Sequence, residues 1–250
     1  MSSGADPVLA VDGLRKRYDD TVALDGVDLA VADGEFVAVV GPSGCGKSTL
    51  LRVLSGLEAR FEGRVTVDGT DVRAGGNDDV GMVFQEPRLL DWADVRESVA
   101  VGLPADVDPA SPAARDRVGD LIETVGLDGF ADSHPGELSG GMAQRVSLAR
   151  GLAYDPSVLL LDEPFSALDR LTKADQQDHL LDAWEQRGTT VVLVTHDVEE
   201  AVYLADRVVV LAGQPGTMAS VVDVDVERPR ERADPDLVAL RREVTDALGR

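Results

Sequence analysis

A nine-residue stretch, Gly41–Thr49, has residue types that bind phosphate, in the spacing G-x-x-x-x-G-K-[S/T]. An apolar run over 35–40 predicts a strand directly before it, and a helix is predicted to begin near Lys47. The glycines let main-chain N–H groups surround an anion, and the helix N-terminus adds partial positive charge. The pattern indicates a phosphate loop with Lys47 at the outer phosphates and Ser48 facing Mg²⁺. The alternative is a glycine-rich loop with an incidental lysine.

Two acidic residues follow another apolar run. Val158–Asp162 is typical of a buried parallel strand that ends in an acid, and Glu163 comes next. Asp162 is placed to orient Mg²⁺ through its water ligands, and Glu163 is placed to polarise an attacking water molecule. In a chain with 46 acidic residues, the alternative is two solvated acids at a strand end. The phosphate loop makes that alternative the weaker interpretation.

A third candidate site is the start of a predicted helix. Ser139 is a favourable N-cap, and Gly140 and Gly141 expose main-chain N–H groups in the first turn. Alone, this pattern indicates a capped helix that binds nothing. Beside a phosphate loop and an acidic strand end, it indicates a second anion site.

The single cysteine of the chain, Cys45, lies inside the phosphate loop. One cysteine excludes an intramolecular disulfide and a cysteine-based metal site. Loop N–H groups, the helix dipole and Lys47 favour its thiolate, so we expect maleimide to label Cys45 and MgATP to protect it. The alternative is a small buried side chain that does not react.

The elements that must position these residues alternate along the chain. Strands are predicted over 8–11, 27–31, 35–40, 64–68, 80–84, 158–162, 190–195, 207–211 and 220–226, and a last helix over 235–248. Helices between the later strands imply an α/β fold with a mostly parallel sheet and an N-terminal antiparallel β portion. Ligands of such sheets bind beyond the carboxyl ends of the strands.

The pattern changes after Pro87. Apolar residues at 118, 121, 122 and 125 lie on one face of a predicted helix, and a second helix is predicted over 142–153. We therefore expect a single domain over residues 1–250, with a helical subdomain inserted at about 88–157.

The charge balance is strongly acidic. Asp and Glu number 46 against 24 Lys and Arg, the net charge is −22, and only three of the basic residues are lysine. Such a surface repels nucleic-acid phosphates, so we expect no nucleic-acid partner. One interpretation is an ordinary acidic protein. The other is a halophilic protein, because molar salt shortens the Debye length to about 3 Å and screens self-repulsion.

The sequence also bears on membranes. No apolar run reaches the roughly 18–20 residues of a membrane helix. Residues 1–7 have neither the basic nor the apolar region of a signal peptide. We therefore expect a cytoplasmic protein that reaches a membrane only by binding a partner there.

Taken in order, the motifs resemble those of the nucleotide-binding subunits of ABC transporters, over nearly the whole chain. Several motifs in register are far more specific than any one of them. The adenine-stacking aromatic is Tyr18, the Walker A loop is Gly41–Thr49 and the Q-loop glutamine is Gln85. The signature is Leu138–Met142 and the Walker B strand is Val158–Glu163. The D-loop is Ser166–Asp169 and the switch histidine is His196. One departure is Met142, where the family often has Gln.

The resemblance implies a P-loop NTPase core that uses ATP and Mg²⁺. It implies catalytic roles for Glu163, His196 and Lys47, and metal ligation by Ser48, Gln85 and Asp162. The implied nucleotide-binding residues are Tyr18, Gly41, Pro42, Ser43, Gly44, Cys45, Gly46, Lys47, Ser48, Thr49, Gln85, Ser139, Gly140, Gly141, Asp162 and Asp169.

Three of these residues have plainer alternatives. Tyr18 could be a surface aromatic, His196 a core histidine, and Asp169 the start of a helix. In the same way, Trp92 could form a docking patch with two neighbouring leucines, or all three could pack beneath the helical insertion.

The resemblance further implies that ATP hydrolysis powers import of a small solute, since residues 85–92 are similar to those of subunits serving nitrate, sulfonate and taurine importers. The implied partners are a second ABC subunit or copy in the ATP-bound state, a transmembrane permease and, indirectly, an extracytoplasmic solute-binding protein. The implied location is the cytoplasmic face of the cell membrane. The alternative is a non-transport ABC ATPase of DNA repair or translation, which usually has a coiled-coil insertion or two cassettes. A purely regulatory ATP-binding protein would lack Glu163 or His196.

Overall fold

The computed structural model describes residues 6–74, 79–166 and 168–249. Its strands are β1 Leu9–Tyr18, β2 Thr21–Val31, β3 Phe36–Val40, β4 Glu62–Val67, β5 Thr70–Asp71, β6 Val80–Val83, β7 Val158–Asp162, β8 Thr190–Thr195, β9 Arg207–Ala212 and β10 Thr217–Asp223. Its helices are α1 Lys47–Leu54, α2 Val95–Ala100, α3 Pro112–Thr124, α4 Gly140–Leu152, α5 Arg170–Arg187, α6 Val198–Leu204 and α7 Pro235–Leu248.

The strands form two sheets. The first is antiparallel, in the order β2-β1-β4-β5, and the second has the order β10-β9-β3-β8-β7-β6. Within the second sheet only β10 is antiparallel to its neighbour. The predicted α/β fold, with an antiparallel N-terminal portion and a mostly parallel sheet, is confirmed.

The larger sheet is buried on both faces, which explains why its strands are continuous apolar runs. Along β3, Phe36, Ala38 and Val40 pack on the side of helices α2–α7, while Val37 and Val39 pack on the side of α1 and the smaller sheet. Every residue of β3 and β8 is buried. The two apolar layers therefore clamp the strands whose ends carry the candidate site.

Helices α2, α3 and α4 lie between β6 and β7. The apolar stripe predicted for α3 is buried at Val118, Leu121 and Ile122. Helix α2 was not predicted, and it begins with a capping box in which Asp94 and Glu97 each bond the other's backbone. The division of the chain into one domain with a helical subdomain at 88–157 stays a prediction.

Several predicted boundaries are wrong. Strands β1 and β2 form a long hairpin rather than two short segments, because paired backbone extends their polar ends as far as Tyr18 and Thr21. Strand β10 begins three residues before its predicted start, at Thr217, since its register is set by pairing with β9. Strand β6 ends at Val83, so Phe84 and Gln85 both lie beyond it.

Helix α6, which follows β8, is anchored by a buried arginine from the segment before α7. The Arg230 guanidinium donates to the carbonyl oxygens of Val202, Tyr203 and Ala205 at the C-terminal end of α6, over 3.2, 3.0 and 2.7 Å. These are carbonyls that lack partners inside the helix, and a cation suits the negative end of its dipole. Across the described ranges, no helix combines the length and apolar composition needed to cross a bilayer.

Candidate active site

The predicted phosphate loop connects β3 to α1, at the carboxyl end of the parallel sheet. Gly46 is the N-cap of α1 and has a φ of 99°, in the left-handed region. A Cβ there would lie 2.6 Å from Leu24 Cδ2 and 2.8 Å from the Ala23 carbonyl oxygen. Only glycine fits this position, and its conformation turns the loop into the helix N-terminus.

Lys47 is 6% exposed, although it carries the charge that the loop offers to a ligand. Its ammonium group donates to the carbonyl oxygens of Gly41 and Pro42, over 2.8 and 3.2 Å. It lies 3.9 Å from Glu163 Oε1. The cation is therefore held over its own loop, on the side that faces the acidic strand end.

Ser48 and Asp162 form an oxygen pair suited to a divalent cation. The Ser48 hydroxyl donates to Asp162 Oδ1 over 3.4 Å. Burial raises the pKa of Asp162, and the neighbouring Glu163 carboxylate raises it further. A cation bound here would stabilise the ionised carboxylate. Hydroxyl and carboxylate oxygens are ligands that Mg²⁺ prefers, so these residues fit the ion.

Glu163 occupies the turn directly after β7 and has a positive φ of 44°. Its backbone N–H donates to the Val194 carbonyl oxygen of β8 over 2.9 Å. Its carboxylate Oε2 lies 2.9 Å from Nδ1 of His196, which follows β8. The structure thus pairs the predicted base with the predicted switch histidine, and a core position for His196 is excluded because its side chain is 57% exposed.

Gln85 is exposed and faces the turn after Glu163. Its Nε2 donates to the Ser166 hydroxyl over 3.0 Å, and that hydroxyl donates to the Glu163 carbonyl oxygen over 3.0 Å. This link through Ser166 is not predictable from the sequence, since no local pattern distinguishes Ser166 from a turn serine. Gln85, which precedes helices α2–α4, is therefore linked through Ser166 to the turn after β7.

The predicted signature lies at the start of α4. Ser139 is its N-cap, and the Ser139 hydroxyl accepts from the Met142 N–H over 3.3 Å. Ser139 and Gly140 are exposed. In the part of the chain that the structure describes, no hydrogen bond joins Ser139, Gly140 or Gly141 to residues 41–49. The two predicted anion sites of one chain are therefore not linked by a hydrogen bond among the described residues.

Tyr18 ends β1 and is 39% exposed. Lys16 Nζ lies 4.4 Å from the centroid of its ring. That ammonium group also donates to the Arg60 carbonyl oxygen over 2.7 Å and pairs with Glu58 over 2.8 Å. The ring is thus supported by a buried cation, a contact that was not predicted although the two residues are two positions apart in one strand.

Asp169 serves as the N-cap of α5. Its Oδ1 accepts from the N–H groups of Leu171 and Thr172, and its Oδ2 accepts from the Thr172 hydroxyl. The Thr172 hydroxyl contact, helped by the backbone donors, lowers the pKa of Asp169. The described contacts favour the plainer interpretation, a helix start. Ala167, within the predicted D-loop, lies outside the described residues.

Cys45 corrects the expectation of a reactive thiol. Its side chain is fully buried, and its sulfur lies 2.5 Å from where a Cβ on Gly41 would stand. Burial raises the pKa of the thiol and outweighs the nearby Lys47 charge, which lowers it. The predicted thiolate is therefore wrong, because the side chain points into the core below the loop. Gly41, which has no side chain, leaves the space that this sulfur occupies.

Comparisons with known proteins agree with this geometry. A family profile described as "ABC transporter" matches residues 24–166. The chain is 50% identical to "Aliphatic sulfonates import ATP-binding protein SsuB 1" of Xanthomonas axonopodis pv. citri, over 93% of this chain and 92% of that protein. It is 44% identical to "Aliphatic sulfonates import ATP-binding protein SsuB" of Bacillus subtilis, over 88% and 85%.

Two solved structures share the fold. One is cbiO1 from Clostridium perfringens, described as part of the ABC transporter complex cbiONQ, with a TM-score of 0.79, 28% identity and coverage of 88% of this chain and 90% of that one. The other is the ATP-binding cassette MJ0796, described as a dimer in a post-hydrolysis state bound to ADP and Pi. Its TM-score is 0.76, with 30% identity and coverage of 88% and 100%.

The burial of Cys45 has a direct test. We expect maleimide to leave the native protein unlabelled and to label it once after unfolding in guanidinium chloride, because the thiol is inaccessible and its thiolate is disfavoured. Mass spectrometry counts the labels. Ser43→Cys is the matched control, since Ser43 is an exposed loop residue two positions away and should take one label in the native state. Rapid native labelling of the wild type would contradict the packing of the loop.

Proposed function

Because the chain belongs to the ABC transporter family, we propose that it is the ATP-hydrolysing subunit of an importer of aliphatic sulfonates. As a member of this family it binds and hydrolyses ATP. The names of its relatives support a sulfonate over nitrate as the solute, and they give no support to the DNA-repair or translation alternative.

One observation carries the proposed chemistry: the Glu163 carboxylate lies between two groups that can direct it. His196 Nδ1 is 2.9 Å from Oε2, and Lys47 Nζ is 3.9 Å from Oε1. The hydrogen bond to His196 and the nearby Lys47 charge favour one orientation of the carboxylate. This supports Glu163 as the general base that accepts a proton from the attacking water.

The other residues position the phosphates. Loop N–H groups and Lys47 would hold the β- and γ-phosphates of ATP, and His196 would interact with the γ-phosphate while it orients Glu163. Ser48, Asp162 and Gln85 would hold Mg²⁺, which when bound neutralises phosphate charge. Catalysis therefore depends on positioning and on charge stabilisation.

The signature residues serve a second copy or a second ABC subunit. Ser139 and Gly140 are exposed at a helix N-terminus, and they are not bonded to the phosphate loop of their own chain within the described residues. A helix N-terminus with free N–H groups suits an anion held by another molecule. The dimeric cassette among the solved relatives supports this arrangement. Two ATP molecules would then lie at the interface.

The permease would dock beside Gln85. Trp92 is 76% exposed, while Leu89 packs partly against the core, so one aromatic projects from a half-buried apolar base. Exposed apolar groups next to a nucleotide-linked loop suit a partner surface. The chain would lie at the cytoplasmic face of the membrane through this contact, and a solute-binding protein would act through the permease.

Glu163→Gln tests the proposed base. We expect the variant to bind ATP normally, to lose most phosphate release, and to accumulate as an ATP-dependent dimer, because Gln keeps the shape but cannot accept the proton. Size-exclusion chromatography with ATP and a phosphate assay measure both effects. Glu62→Gln, which removes the same charge from an exposed strand residue, should behave like the wild type. Near-normal phosphate release by Glu163→Gln would contradict the assignment.

The net charge of −22 predicts a salt requirement. We expect the melting temperature and the ATPase rate to rise from about 0.1 M to molar KCl, as the Debye length falls from about 10 to 3 Å and self-repulsion is screened. NaCl at equal ionic strength should give the same rise if screening is the cause. Full activity and an unchanged melting temperature at low salt would favour the ordinary acidic protein.

The solute has a separate test in the source organism. Deleting the gene should abolish growth on an alkanesulfonate as sole sulfur source and leave growth on sulfate intact, because sulfonate uptake would lose its ATPase. The wild-type gene should restore growth, and the Glu163→Gln gene should not. A nitrate-growth defect with normal sulfonate growth would overturn the solute and leave the ATPase assignment standing.

A further inference from the structure

The chain has three lysines among its 24 basic residues, and none is a free surface cation. The side chains of Lys16, Lys47 and Lys173 are 3%, 6% and 20% exposed. The first supports Tyr18 and the second lies in the phosphate loop, so both belong to the site. The arginines supply the rest of the positive charge. Lys173 is the one lysine that the description of the site does not include.

Lys173 joins two carboxylates in a cluster at the contact between α5 and α6. Its ammonium group lies 2.7 Å from Asp197 Oδ2 and 2.7 Å from Glu200 Oε2. Glu200, whose side chain is 1% exposed, also accepts from Gln177 Nε2 over 3.2 Å. A buried carboxylate needs such partners, since leaving it unpaired is costly.

The cluster lies directly beside the switch histidine. Asp197 follows His196, its N–H donates to the Thr195 hydroxyl over 3.0 Å, and its carboxylate caps α6. Lys173 lies in the first turn of α5, where its N–H donates to the Asp169 carbonyl oxygen over 2.8 Å. The cluster thus links the loop that carries His196 to the helix that follows the acidic strand end.

The charges explain why the contact depends on lysine. Burial by itself lowers the pKa of Lys173, but the hydrogen bonds to Asp197 and Glu200 outweigh it and raise that pKa. Burial raises the pKa of Glu200, and the Lys173 contacts oppose that rise. Without the ammonium group, the Asp197 and Glu200 carboxylates, which both contact Lys173 Nζ, would lie close together with no cation between them. Two like charges in a half-buried space repel each other. The His196 loop would then move.

We propose that Lys173 is a positioning residue for ATP hydrolysis: by holding Asp197 and Glu200 together, it keeps His196 in contact with Glu163. The proposal rests on the function proposed above, because it assigns Lys173 to the chemical step. It acts on turnover and leaves the phosphate loop unchanged.

Lys173→Met is the first test. We expect kcat to fall by about 10- to 100-fold, because small displacements of a catalytic group cost that much, while the KM for ATP stays within about threefold. If the contact is merely structural, the substitution should lower the melting temperature and leave kcat unchanged. Steady-state ATPase assays below the melting temperature of each variant separate the two results.

Arg207→Met is the matched control. Arg207 forms a bidentate ion pair with Glu35 over 2.7 and 3.0 Å, and their side chains are 22% and 17% exposed. The pair lies at the amino ends of β3 and β9, opposite the site. We expect this variant to lose stability as Lys173→Met does and to keep kcat. An equal fall in kcat in both variants would overturn the proposal.

A double-mutant comparison tests the route through His196. In a His196→Ala background, Lys173→Met should cause no further loss of kcat, because the group it positions is gone. Multiplicative losses would overturn the proposal. If Lys173→Met does not fold, Asp197→Asn replaces it in both assays with a smaller expected loss, and unchanged kcat in that variant overturns the proposal as well. A wild type that does not hydrolyse ATP would instead refute the proposed function.

Discussion

The backbone hydrogen bonds between β3, β8 and β7 are the constraint on which the site depends. Val40 lies in register with Thr195, and Asp162 lies in register with Val194. The phosphate loop after β3, the switch histidine after β8 and the acidic pair at the end of β7 therefore lie at one edge of the sheet. Because apolar layers cover both faces of the sheet, a strand cannot slip by one residue without moving its apolar side chains to the wrong layer. Packing on both faces thus sets catalytic distances that no local contact could fix alone.

Some of this could be predicted because the sequence signal is local. Val158–Asp162 and Thr190–Thr195 are continuous apolar runs with clear ends, and the structure gives both strands those bounds. The phosphate loop has a spacing that itself prescribes strand, turn and helix. In such segments, the same residues determine both the backbone conformation and the chemistry, so the sequence alone is sufficient to predict the structure.

Other features depend on groups distant in sequence. The Cys45 thiol was assigned from its neighbours in the loop, while its burial below that loop decides its chemistry. Lys173 meets Asp197 only because α5 and α6 pack side by side. Helix α2 is different, since its capping residues Asp94 and Glu97 were visible as a pattern, but its six residues are too few for a periodic stripe. The positions of Cys45 and Lys173 could not be predicted because they depend on tertiary packing, and helix α2 could not be predicted because it is short.

The enclosure of the lysine side chains, two of them buried and Lys173 partly buried, also determines how they react with amine-directed reagents. Acylation requires an accessible amine, whereas the side-chain nitrogens of Lys16, Lys47 and Lys173 contact carbonyl or carboxylate oxygens of the protein. Arginine guanidinium groups, which make up the remaining basic side chains, stay protonated and do not substitute as nucleophiles. Modification of a lysine in this protein therefore indicates that the nucleotide site, or the contact between α5 and α6, has opened. It does not indicate a reaction at a freely exposed surface amine.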